Sequence, residues 1–198
     1  MSFHNIMMKR TAPVGVLNDF DLASIMEPGA TSPPMTGIRR TGTPIFMSVD
    51  LLSHEALSVS VPRLYRHDLE SFAWILLYAS ICVKDGEENL DVEPFRHWVS
   101  IHTSRLQEKK AAFLMYAPDY ILQWVKDPYR GVLLRTFNVW TKLLDERRNA
   151  RFRWTEVSVP SDELLITNIL YAWGVQKDEW VYFEPTTALP PSIEGTSK

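Results

Sequence analysis

The chain has 198 residues, 45% of them apolar, with 24 acidic and 21 basic side chains and a formal charge of −3. That length and apolar content suit one domain with a sizeable core, and charges scattered without a basic stripe argue against a nucleic-acid partner. A single cysteine, Cys82, excludes an intramolecular disulfide and points to a reducing, intracellular compartment, cytoplasmic or nuclear.

In chain order, the Met-rich start lacks a long apolar stretch behind a basic one, so no secretory signal is expected. Two short apolar runs, Ile6 to Met8 and Val14 to Leu17, are separated by Lys9, Arg10, Thr11, Ala12 and Pro13. This spacing predicts a β-hairpin. Residues 28–43 gather Pro28, Gly29, Pro33, Pro34, Gly37, Gly42 and five hydroxyl side chains, too many breakers for a regular element. A loop of that length in a compact domain points to function. From Asp68 the pattern turns helical, with Leu69, Phe72, Ile75 and Leu76 on one face. Residues 72–83 are apolar apart from Ser80, so the helix is expected to be buried, with Cys82 in the core. Its apolar run is far short of the roughly 20 residues that cross a bilayer, and no membrane partner is expected.

A further amphipathic helix is predicted to start with Asp91 as N-cap, Pro94 in its first turn and Phe95, Trp98, Val99, His102 and Leu106 at helical spacing. Residues 120–144 predict two helices broken near Pro128 and Gly131, and 145–153 read as a charged connector. Ser161 is placed to cap a last helix that has Asp162 and Glu163 at its positive end and stops at Gly174. The Pro-, Thr- and Ser-containing residues 185–198 read as a mobile tail behind a domain of 1–184. Among the histidines only His97 and His102 are close in sequence, at a spacing poorly aligned on a helix, which argues against zinc. Trp98, Trp124, Trp140 and Trp173 fall on apolar faces and read as packing.

Four short strings, in order, carry chemistry. Ser2, Phe3, His4, Asn5, Ile6 and Met7 lead into the first predicted strand, and Asp19, Phe20, Asp21 come at the end of the second, with Asp19 fourteen positions after Asn5. The third string is Gly42, Thr43, Pro44, Ile45, Phe46, Met47, Ser48, Val49, Asp50, Leu51, Leu52. The fourth is His67, Asp68, Leu69, Glu70, Ser71, Phe72, Ala73, Trp74. Together they resemble the fungal-type protein kinase family. The resemblance implies an α+β, mostly helical fold, a protein kinase-like C-lobe with a short N-terminal β-hairpin. It implies Mg2+ and ATP as cofactors, with Asn5 and Asp19 as hard-oxygen metal ligands and Phe20 as a structural neighbour. Gly42, Thr43 and Pro44 then belong to the substrate-facing end of an activation segment.

Ser48, Val49 and Asp50 stand where kinases carry Ala-Pro-Glu, so Asp50 is expected to pair with an arginine, Arg147, Arg148 or Arg151. Asp68 matches the helix aspartate that receives backbone N–H groups of the catalytic loop. Asp21 replaces the glycine of Asp-Phe-Gly and adds a carboxylate that would either aid the metal or repel phosphate. Thr31, Ser32, Thr36 and Thr41 lie near Arg39 and Arg40, which would pair with a phosphate placed on the loop; an ordinary polar loop fits the same residues.

By the same resemblance the His-Arg-Asp triplet would end immediately before Met1. No catalytic residue is therefore assigned, and the isolated chain is expected not to transfer phosphate to protein hydroxyls. The expected partner is a protein substrate, another protein, or an N-lobe missing from these residues. The alternative reading is a non-enzymatic, pseudokinase-like interaction module.

Overall fold

The structure, a computed structural model, describes residues 6–8, 15–17, 42–52, 64–153 and 162–174, with 6–8, 15–17, 144–153, 162 and 163 as backbone alone. Strands β1 (Ile6–Met8) and β2 (Gly15–Leu17) pair antiparallel in the register Ile6↔Leu17, Met7↔Val16 and Met8↔Gly15, the hairpin expected from the two apolar runs. The rest is mostly helical, so the α+β class holds.

Helix α1 (Tyr65–Cys82) starts about one turn before Asp68, where the helical pattern begins. Leu64 is extended, with φ −116° and ψ 150°, and its N–H donates to His67 Nδ1 at 3.2 Å, which satisfies a donor the helix cannot. Ala73, Trp74, Ile75, Leu77, Tyr78 and Cys82 are all buried, as expected for a helix apolar on every side. β-branched Val83 then takes extended geometry and opens β3 (Val83–Lys84), which pairs with β4 (Glu87–Glu88). Asp85 and Gly86 between them have φ of 54° and 82°, the pair of positive angles that a two-residue Asp-Gly hairpin turn requires. Tyr78 closes the connection by donating its hydroxyl to Glu88.

The single helix expected from Asp91 is instead two, α2 (Phe95–Trp98) and α3 (Thr103–Met115), and Asp91 does not cap the first. His102 is extended, with ψ 145°, and Ser100 and His102 turn their side chains to His97 O (3.2 Å) and Ser104 Oγ (3.1 Å). Such local bonds compete with helix continuation. The offset lets Trp98 and Leu106 both reach the core while Val99 and His102 stay exposed.

Helix α4 (Ala117–Trp124) carries Pro118 in its first turn, where a missing N–H is harmless, and Asp119 at the positive end. The break expected near Pro128 separates it from α5 (Arg130–Arg153), and Arg130 Nε donates to Val125 O at 3.0 Å across the gap. The connector expected at 145–153 is helix: its Arg, Glu and Ala residues favour continuation, and Leu133, Phe137, Trp140 and Leu143 anchor the earlier turns. Helix α6 (Asp162–Ala172) ends at Gly174, φ +81°, as expected of a terminal glycine. It is tied to α5 by Arg135 Nε to Ala172 O (2.6 Å) and Trp173 Nε1 to Thr136 Oγ1 (2.8 Å).

Trp74 is the hub of the core. Its ring meets Trp98, Phe113 and Phe137 edge-on, with centroids 5.6, 5.5 and 5.0 Å away, so one residue of α1 joins α2, α3 and α5. Trp98 and Trp140 are buried, and Trp124 and Trp173 pack half-buried against the same core. No helix among the described residues is long and apolar enough to cross a membrane.

Candidate functional site

Residues 42–52 run from an open leading edge into a buried anchor. Gly42 is exposed at φ +146°, a conformation that glycine holds without a Cβ clash. Thr43 is half-buried and extended, and exposed Pro44 opens a 3-10 turn, Pro44–Phe46, where its fixed φ and missing N–H suit the first position. Phe46 N–H to Thr43 O (2.9 Å) and Met47 N–H to Pro44 O (3.1 Å) close the turn. From Ile45 in this turn to Ser48 after it the chain is buried, with Phe46 edge-on to Tyr78 of α1 at 5.2 Å. A second turn, Asp50–Leu52, buries Leu51 and Leu52.

A loop cannot be buried without partners for its backbone polar groups. Two charged side chains supply them. Glu70 of α1 receives Val49 N–H (2.8 Å) and Trp74 Nε1–H (2.9 Å) on one carboxylate oxygen. Lys110 of α3 donates its ammonium to Ile45 O (3.2 Å) and to Met47 O, and lies 4.3 Å from the centre of the Trp74 ring. Lys110 is wholly buried and Glu70 nearly so. Burial raises the Glu70 carboxyl above its ordinary value, opposed by Lys110 and by the two hydrogen bonds. Burial lowers Lys110 to about 7, with Glu70 pulling it back up. The segment is thus held through carbonyls and an N–H, whatever its side chains are, by residues from two helices.

Asp50 adds a third hold at the surface. Its carboxylate stands 3.9 Å from the Arg66 guanidinium and 3.7 Å from His67 Nε2. Because His67 Nδ1 accepts from Leu64, the bonding pattern assigns the neutral ring's proton to Nε2, the atom facing Asp50. The cavity beside it, lined by Val49, Asp50, His67, Glu70 and Trp140, holds about 40 Å³. A nucleotide-sized ligand needs several hundred, so this cavity is too small for one, and the anchor around it fixes the path of the chain.

The structure brings Gly42, Thr43 and Pro44 together at the open edge and Asp50 at the anchored end of one segment. Asp68 lies exposed in the first turn of α1, and the buried carboxylate of that turn's neighbourhood is Glu70. Asn5, Asp19, Phe20 and Asp21 lie outside the described residues, as do Thr31, Ser32, Thr36, Thr41, Arg39 and Arg40 of the loop. The side chains of Arg147, Arg148 and Arg151 are likewise outside them, and the partners found for Asp50 come from α1. Sequence reasoning quoted Glu70 without giving it a role and passed over Lys110. A signal existed: Leu106, Lys110, Phe113 and Leu114 share one helical face, so Lys110 interrupts an apolar stripe.

Residues 1–82 match the family model described as fungal protein kinase, which spans the hairpin, the anchored segment and α1 and bears out the resemblance seen in the four strings. No match was found among curated proteins, and none among solved structures.

Proposed function

We propose, from the match of residues 1–82 to fungal protein kinases, that this chain is a kinase C-lobe. It carries the metal-binding and substrate-facing half of a site that transfers the γ-phosphoryl group of ATP to serine or threonine hydroxyls of a protein. The observation that supports this reading best is the segment 42–52: its leading edge at Gly42, Thr43 and Pro44 is open while everything after it is locked to α1 and α3. A peptide substrate needs such a fixed, accessible edge, because phosphoryl transfer depends on positioning far more than on covalent chemistry by the protein.

Asn5 and Asp19 are the proposed magnesium ligands. An amide and a carboxylate offer hard oxygen donors that fit this ion. The register Ile6↔Leu17 puts the start of β1 and the end of β2 at one end of the ladder, and the two residues follow one and two positions beyond it. Magnesium with ATP would supply charge neutralisation on the phosphates. Asp68, exposed on the first turn of α1, is the proposed acceptor for backbone N–H groups of the catalytic loop. Residues 1–198 contain neither a His-Arg-Asp triplet nor a Gly-x-Gly-x-x-Gly loop, so transfer requires a polypeptide that supplies the base and the phosphate clamp.

Calorimetric titration of Mg2+·ATP into the purified chain tests this reading. The expected result is weak binding, with Kd no tighter than about 1 mM, that vanishes in Asp19→Asn, and no transfer of labelled phosphate. Binding that is unchanged in Asn5→Ala and Asp19→Asn would contradict the assignment.

A further inference from the structure

Helix α4 and its flanks expose more apolar surface than the core requires. Met115, Tyr116, Leu122 and Tyr129 are between 45% and 58% exposed, and Tyr120 and Trp124 lie half-buried among them. Tyr120 and Trp124, one helical turn apart, stack with centroids 4.7 Å apart and 6° between planes, and Phe113 lies almost parallel beneath Tyr120 at 5.4 Å. Tyr116 stands nearly perpendicular to Tyr120, at 78° and 6.4 Å. A stack of near-parallel rings therefore meets the exposed Tyr116 ring at close to a right angle. Corners of this kind accept proline rings, whose polyproline II backbone is already extended and loses little entropy on docking.

We propose that the corner at Tyr116, Tyr120 and Trp124 docks the chain's own segment Leu189, Pro190, Pro191. Between Pro185 and Ile193 the tail carries no charged side chain, so nothing in it resists an apolar face. Its tether is long enough. Gly174 follows directly on Ala172 and Trp173, which are bonded to Arg135 and Thr136 near the start of α5, and Arg130 is bonded to Val125 at the end of α4. Following these links places Gly174 no more than roughly 40 Å from the Trp124 ring. Pro190 lies sixteen residues beyond Gly174, a reach of roughly 50 Å when extended. Held by such a tether, the segment meets the corner at a high effective concentration, so a weak contact suffices. Docked there, it shields the α4 face, and a protein partner using that face must displace it. This inference does not depend on phosphoryl transfer.

The test uses the full chain with a nitroxide on Ser192→Cys. Cys82 is buried, and burial pushes its thiol up to about 11, so it does not compete for the label. The expected result is that the Trp124 indole N–H signal falls below half of its intensity in the reduced control. It should recover in Tyr116→Ser, an exposed position, and in the Pro190→Ser/Pro191→Ser double variant. Full intensity in the labelled parent chain would overturn the proposal, as would attenuation that survives both changes. Attenuation that appears equally when labelled chain is mixed with unlabelled isotope-enriched chain would overturn it in favour of a second copy.

Discussion

Lys110 is buried beneath the loop it holds, and the consequences of removing it follow from its two carbonyl partners. Lys110→Met keeps the apolar stem but leaves Ile45 O and Met47 O without a donor and Glu70 without its nearby positive charge. The expected loss is about 2 kcal/mol of stability near pH 7, measured by urea unfolding. The pH dependence has a definite sign. Below about 7 the folded and unfolded chains both carry the Lys110 proton; between about 7 and 10.5 only the unfolded chain does. The unfolded state then binds more protons, so this residue makes stability rise with pH across that window. Glu70, raised above 4.5 by burial, acts the other way and favours the folded state at acid pH. Comparison of the parent with Lys110→Met at pH 7 and 9 should therefore show a rise in the parent that the variant lacks.

At this scale the sequence was partly legible. Gly42, Thr43, Pro44 and Asp50 form recognisable strings, and the structure sets them on one segment. Lys110 was passed over because a lysine between Lys109 and two alanines looks like a solvated face, and only its register with Leu106 and Phe113 marks it as inward. Asp50 also meets Arg66 and His67 of α1, which its string does not announce, while the arginines expected for it, Arg147, Arg148 and Arg151, have side chains outside the described residues.

Among the elements, those announced by breakers or uninterrupted apolar runs were readable. The β1–β2 hairpin, α1, the break at Pro128 and the stop at Gly174 each rest on a strong local cause. The split between α2 and α3 was hidden because Phe95, Trp98 and Leu106 keep helical spacing across a kinked connection. The end of α5 was hidden for a different reason: a run of Arg, Asp and Glu suits a solvated helix as well as a loop. The β3–β4 hairpin was overlooked although Asp85-Gly86 is a strong turn signal. Gly174 allows a direct check. A Cβ there meets nothing within 4 Å, so Gly174→Ala should destabilise through φ alone, by about 1 kcal/mol, seen as a lower Tm with unchanged helical circular dichroism.

Across the whole molecule, the aromatic hub and the anchored loop form one unit, because Trp74 both packs against Trp98, Phe113 and Phe137 and donates to Glu70. Loosening the hub should therefore loosen the loop. Phe137→Leu, a milder change than removal of the ring, should lower stability by about 1–2 kcal/mol and speed amide exchange at Met47 and Val49 as well as in α5.

The most direct test of the anchored segment is hydrogen exchange at the Val49 amide, whose acceptor is the Glu70 carboxylate. The account predicts slow exchange in the parent chain, slow exchange in Glu70→Gln, where the amide oxygen still accepts, and at least tenfold faster exchange in Glu70→Ala, a change of about 1.4 kcal/mol, with the α1 amides still protected. Exchange at the rate of an unstructured peptide in the parent, or equal protection in all three chains, would contradict it.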